Sequence, residues 1–395
     1  MVNHEICIHN EKFITSTTLT MIAYSINGAG GGGNVKELYN PSKEGGIIGL
    51  VEELGRRRLP LYSSEQLSPE TPVCCVARLG RPGAKADFFA REAAQAITIG
   101  LEKLGELTRL GFPEAIVPVE ATAGQMARST RAALAASEIR KKQIGILDGD
   151  ICGGMAVPAV PLAFNIFEGM NKHPEIVLIQ LKTDEKGNVI PDIESMEEKD
   201  PFELEKKLRE MASSSEMGAV WFAWLMMPVS DFRQFFTVGS VSSAIRRGRI
   251  VLTALRQRRN PTEALIESKE GSLIIEGEVV EVIDESSKAP GFAQYSYKIV
   301  TPNNEEIIMV ARNEYVILYR KDGTIIARAP QIIAALTNEG PIQSHVLKPN
   351  TQISIITATP QAILNSNEDQ RRRWEEIWKE YFKNEAEKRT WNHPF

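Results

Sequence analysis

Asp148-Gly149-Asp150-Ile151-Cys152-Gly153-Gly154 follows the short apolar run Gly145 to Leu147 and puts two carboxylates two residues apart where a buried strand ends. Alternate residues of an extended chain share a face, and neighbouring carboxylates there raise one pKa or attract a hard cation. The pattern suits a general base or a divalent-metal site at Asp148 and Asp150; a turn with helix N-caps uses the same residues, and both readings stand. Cys152 offers a thiol, but no histidine adjoins it in sequence, and a buried inert thiol is the commoner state. Glu120-Ala121-Thr122-Ala123-Gly124-Gln125 brings a third acid to the end of another short strand, with Gln125 opening the helix that follows. Thr122 as a plain cap with Glu120 solvated is the bland alternative.

The third constellation is Gly28-Ala29-Gly30-Gly31-Gly32-Gly33-Asn34. It satisfies GxGxxG in letters, and Glu52 falls near the distance of a ribose-binding acid. The residues after it contain Pro41, Gly45 and Gly46, so they cannot form the crossover helix of a dinucleotide fold, and no Gly-Lys-Ser/Thr follows. No NAD is expected. The loop is either a cradle whose free N–H groups at Gly30, Gly31, Gly32, Gly33 and Asn34 hold an anionic or carbonyl-bearing ligand, or a close backbone contact. The five histidines form no metal-ligand spacing, so any cofactor beyond a divalent metal on the two aspartates is unknown.

These residues need elements to position them. From Gly46 to about Lys182 the apolar pattern alternates between helical and strand periods: Ile47 to Arg58 helical, a strand ending at Gly80, a helix over Asp87 to Gly111, a strand over Glu114 to Glu120, a helix over Gln125 to Lys142, and a strand over Gly145 to Asp150. Such repeats predict an α/β domain with a mainly parallel or mixed sheet, whose ligand sites favour the carboxyl ends of strands. The period changes near residue 265, where β-branched runs separated by Gly, Asn and Asp turns predict a β-rich domain, with Lys321-Asp322-Gly323 as a hairpin turn. The expected division is 1–265, 266–364 and a C-terminal helix over 365–395. That helix carries Trp374, Ile377, Trp378, Tyr381 and Phe382 on one face amid charge. The stripe packs on its own domain or docks a second subunit; an oligomer or partner contact is the expectation.

The 395 residues are 43% hydrophobic and 25% charged with a formal charge of −5, ordinary for a globular chain and without a field that gathers nucleic acid or anionic lipid. The basic stretch holding Arg246, Arg247 and Arg249 is read as solvated or paired with acids, and nucleic acid is not an expected partner. Four cysteines without zinc spacing, and a polar start, predict a reducing, cytoplasmic location. The longest apolar run, Ala219 to Val229, is short of the ~20 residues that span a bilayer and reads as core, so no membrane contact is expected.

Taken in order, the glycine loop, Leu79-Gly80-Arg81-Pro82, Glu120, Asp148-Gly149-Asp150, Asn313-Glu314, Asp322-Gly323 and Ala329-Pro330 resemble the S-methyl thiohydantoin desulfurase-like family, long of unknown function and often encoded beside hydantoinase and oxoprolinase subunits. The resemblance runs over roughly residues 20–360. It implies chemistry on a five-membered cyclic amide or its sulfur analogue, with Asp148 or Asp150 as base or metal ligand, Glu120 as second acid, and the glycine loop as cradle. The chain departs from the family pattern at Asn34 (usually Asp), at Met155 and Ala159 (usually Arg and Glu), within Glu120 to Gln125, and at Gln331 (usually Asp). These departures imply either a different substrate or a site that has become a binding or scaffold subunit of a hydantoinase-like complex.

Overall fold

Four short apolar runs pair in parallel in the order Leu59–Tyr62, Gly145–Leu147, Ala115–Pro118, Pro72–Gly80. Here and below, the computed structural model describes residues 12–28, 50, 54, 58–80, 90–288 and 292–382. Ala219–Pro228 continues the sheet antiparallel to Pro72–Gly80, followed by Glu175–Thr183 and Val189–Glu197, while Phe13–Ile14 forms the other edge. The result is an eight-stranded mixed sheet, as the sequence predicts.

Both faces of this sheet are covered, which explains why its central strands read as unbroken apolar runs. Along Pro72–Gly80, Cys74 and Val76 enter one core cluster while Val73, Cys75 and Ala77 enter another. The helices Ala90–Thr108 and Ala123–Arg140 pack on the first face through Ile97, Leu101, Met126 and Ala133. Pro201–Ser214 and Val229–Phe235 cover the second with Leu204, Leu208 and Phe232. Of the predicted helix over Ile47 to Arg58, Leu50, Leu54 and Arg58 are described; the two leucines are helical and buried, and Arg58 lies exposed outside the helix.

A second eight-stranded sheet, antiparallel throughout, takes the order Ile325–Arg328, Glu314–Arg320, Glu306–Arg312, Gln294–Val300, Ser272–Asp284, Thr351–Ala358, Ile332–Thr337, Gly340–Ile342. The predicted hairpin turn is present: Gly323 takes φ 91°, and Asp322 Oδ1 accepts from the Thr324 amide at 2.8 Å.

The basic stretch forms the helix Ser240–Arg256 between the two sheets. It crosses the helix Ser16–Ala23 at Gly248, where a Cβ would fall 1.6 Å from the Met21 carbonyl oxygen, so no larger residue fits. Two of its arginines are paired with acid: Arg246 and Arg247 both reach Glu270, at 2.5 and 3.0 Å. Among the described residues no helix is long and apolar enough to cross a membrane. The helix Glu368–Tyr381 lays its stripe inside the chain, burying Trp374, Trp378 and Phe382. That face packs mainly on the chain itself, with Ile377 and Tyr381 partly buried in the same cluster, whereas the expectation from sequence is a contact with an oligomer or partner.

Candidate functional site

Ala115–Pro118 and Gly145–Leu147 lie side by side and parallel, so their carboxyl ends open at the same sheet edge. Glu120 follows the first and Asp150 the second. Past Asp150 the chain turns sharply through Gly153 and Gly154, with φ of 83° and 81°, a left-handed conformation that favours glycine. The turn sends backbone N–H groups back at Asp150: its Oδ1 accepts from Gly154 at 2.9 Å and its Oδ2 from Ala121 at 3.0 Å. Asp150 is fully buried. Burial pushes its carboxyl up to about 7, against the pull of those amides and of the nearby Ser240 hydroxyl.

Glu120 is the outward member of the pair, buried only in part. Its Oε1 accepts from the Val157 amide at 3.0 Å and its Oε2 from the Thr122 hydroxyl at 3.3 Å. Burial first, and then the negative charge of Asp150, raise it to about 7, while the Val157 amide and Arg128 pull it down. Both carboxyls are thus held near neutrality, the range in which a group both takes and returns a proton. Cys152, Cys75 and Glu314 of the second sheet complete the surroundings; burial holds both thiols protonated.

Asp148 is turned to another task. Its Oδ1 accepts from the Ser242 amide at 3.0 Å and its Oδ2 from the Ser242 hydroxyl at 2.5 Å. The helix Ser240–Arg256 starts at Gly239, which has no side chain to cap it, and Asp148 supplies the missing acceptor from across the fold. Asp148 and Asp150, two apart in sequence, therefore engage different partners. With the oxygens of Asp150 facing N–H donors and those of Asp148 facing Ser242, the two do not present a joint set of ligands to a cation. Among the described residues no group of three or more His, Cys, Asp or Glu is placed to hold a metal ion.

The glycine loop begins at the site. Ile26–Gly28 forms a tight turn, and a Cβ on Gly28 would fall 2.7 Å from Thr122 Cγ2, two residues from Glu120. Gly30, Gly31, Gly32, Gly33 and Asn34 lie outside the described residues. Gln125, in the first turn of the helix Ala123–Arg140, donates from Nε2 to the Arg78 carbonyl oxygen at 3.2 Å, at the end of the neighbouring strand. Sequence reasoning does not single out Asn27, whose Nδ2 donates to the Gly154 carbonyl at 2.5 Å and whose Oδ1 accepts from Arg247 at 3.1 Å. Its position just ahead of the glycine loop is the only signal that marks it.

The raised carboxyls make stability depend on pH. Their ordinary values are 4.5 and 3.8, and both stand at about 7 in the folded chain. The folded state thus binds more protons than the unfolded one between those limits, so this contribution is fully present below pH ~4 and is lost as pH rises through ~7. The urea midpoint should fall between pH 5 and pH 8, and Glu120→Gln should shallow that fall. A midpoint rising over this interval in wild type and variant alike would contradict the coupled pair.

Residues 199–371 match the family model described as S-Me-THD-like, C-terminal domain. None of the curated proteins matches the chain. Among solved structures, an X-ray crystal structure of a protein from Chromobacterium violaceum is similar in fold, with a TM-score of 0.68 over 97% of this chain and 98% of that one, at 16% identity.

Proposed function

We propose that this chain, a member of the S-Me-THD-like family by residues 199–371, is a hydrolase of five-membered cyclic amides or thioamides in which Glu120 moves the proton. The observation that carries the reading is the Glu120–Asp150 pair at a shared strand edge, both raised to about 7, with Glu120 on the outward side. Asp150 is then a positioning and tuning group: it fixes the loop through Ala121 and Gly154 and keeps Glu120 basic enough to act at neutral pH.

On an S-methyl thiohydantoin ring, Glu120 as carboxylate takes a proton from water as its oxygen attacks the ring carbon bearing sulfur. A C–O bond forms and the C–S bond breaks. One water proton ends on ring nitrogen and the other, returned by Glu120, on the departing methanethiol, leaving a hydantoin. The glycine-loop amides of Gly30 to Asn34 are proposed to face the ring carbonyl. The division at residues 265 and 364 is likewise proposed; the passage from helices to the antiparallel sheet between Glu267 and Ser272 supports it. Three buried free cysteines support a reducing, cytoplasmic compartment.

The second reading is a binding or scaffold subunit of a hydantoinase-like or oxoprolinase-like complex. It is favoured by the full burial of Asp150 and by the apolar Met155 and Ala159, both buried beside the site. Assay of the full chain on hydantoins and S-methyl thiohydantoins separates the two. Turnover is expected, with Glu120→Gln lowering kcat by about 10²–10⁴-fold in a folded chain. No turnover from the chain alone, together with a stable complex with a hydantoinase-like subunit, would establish the scaffold.

A further inference from the structure

Buried polar atoms are nearly always hydrogen-bonded, and an idle one in a native chain needs a reason. Gln125 Oε1 is such an atom: it is buried and accepts from no group among the described residues. Its orientation is not arbitrary. The Arg78 carbonyl at 3.2 Å can only accept, so the amide nitrogen must face it and the oxygen must face away. Gln125 is fixed in place by the first turn of the helix that begins at Ala123, five residues past Glu120. A side chain held at one end by a backbone carbonyl therefore keeps a bare acceptor at the other, one helical turn on from the strand end that carries Glu120.

Resting on the hydrolase reading, we propose that Gln125 is a specificity-determining residue whose Oε1 accepts a hydrogen bond from a ring N–H of the cyclic amide. An N–H donor satisfies this oxygen; an ether, ester or N-alkylated ring at the same position does not, and leaves the acceptor buried and unpaired. Sites built to meet a substrate N–H reject analogues that lack it far better than apolar pockets reject an extra methyl group. The reading also gives the Nε2 contact a purpose, since it prevents the amide from flipping to present a donor.

The test is calorimetric titration of the full chain with hydantoin and with its two singly N-methylated forms, alongside steady-state assay of the S-methyl thiohydantoin. Wild type should bind hydantoin about ten- to a hundredfold more tightly than one of the N-methyl forms, the loss expected when a buried acceptor goes unpaired. Gln125→Ala should bind all three rings within a few-fold of one another. In turnover its KM should rise while kcat moves less, because Glu120 is untouched. If Gln125→Ala keeps the wild-type discrimination, the assignment of Oε1 is wrong while the hydrolase reading stands. If wild type neither binds nor turns over any ring, the hydrolase reading fails and this inference with it.

Discussion

Arg247→Met is expected to lower the unfolding free energy by about 3 kcal/mol, whereas Arg246→Met, one residue earlier on the same acid, should cost no more than about 1. Both arginines bond Glu270, but Arg247 is 4% exposed and Arg246 has a side chain 47% exposed. Arg247 divides its donors among three elements: Nε to Glu270 Oε2 at 3.0 Å, Nη1 to Asn27 Oδ1 at 3.1 Å, and Nη2 to the Thr359 carbonyl at 3.2 Å. Its removal leaves the Thr359 carbonyl without this donor and loosens Asn27, which holds the Gly154 carbonyl. Since the Gly154 amide is one of the backbone donors on Asp150, the loss should also reach that carboxyl and raise it further. Urea titration of the two variants measures the first effect, and the pH dependence of the midpoint measures the second. Equal losses in both variants would mean that the buried guanidinium does no more than the exposed one.

Much of this arrangement is legible in the chain itself. The two short strands follow from apolar runs read as Glu114 to Glu120 and Gly145 to Asp150, and with them the shared edge of Glu120 and Asp150, although the strands themselves stop earlier, at Pro118 and Leu147. Hidden from such reading is the antiparallel half of the first sheet. Ala219–Pro228 is buried on both faces, so its side chains show no alternation, and its apolar letters identify core without showing direction. The same limit explains Asp148. Spacing places it two residues from Asp150, but its partner is Ser242, on a helix whose own cap position is the glycine Gly239. A cap supplied from ninety-four residues away leaves no local signature. Arg247 is equally silent: six arginines stand in its stretch, and only the crossing at Gly248 turns this one inward.

The C-terminal stripe is the case where composition pointed outward and packing went inward, and Trp374→Ala should show it with a loss of about 3–5 kcal/mol, the range for emptying a large aromatic site in a core. Trp374 is 2% exposed, meets Phe164 edge-on at 5.2 Å between ring centroids, and donates from Nε1 to the Leu162 carbonyl at 2.8 Å. Alanine removes the ring and leaves that carbonyl without its donor, so transfer, cavity and hydrogen-bond losses act together. The ring also closes over Gly153: a Cβ there would fall 2.9 Å from Trp374 Cη2, and the Gly153 carbonyl is held by the Ala362 amide at 3.0 Å. Gly153 begins the turn whose amides face Asp150, so a cavity at residue 374 should loosen the carboxyl pair as well as the helix. Denaturant unfolding with light scattering discriminates the possibilities, using the exposed neighbour Glu376→Ala as the reference for a surface change. A Trp374→Ala chain that unfolds at markedly lower urea with its molar mass unchanged fits a stripe used within the chain. If instead its midpoint matches that of Glu376→Ala and its molar mass drops, the stripe belongs to a subunit contact and its packing against Leu162 and Gly153 contributes little.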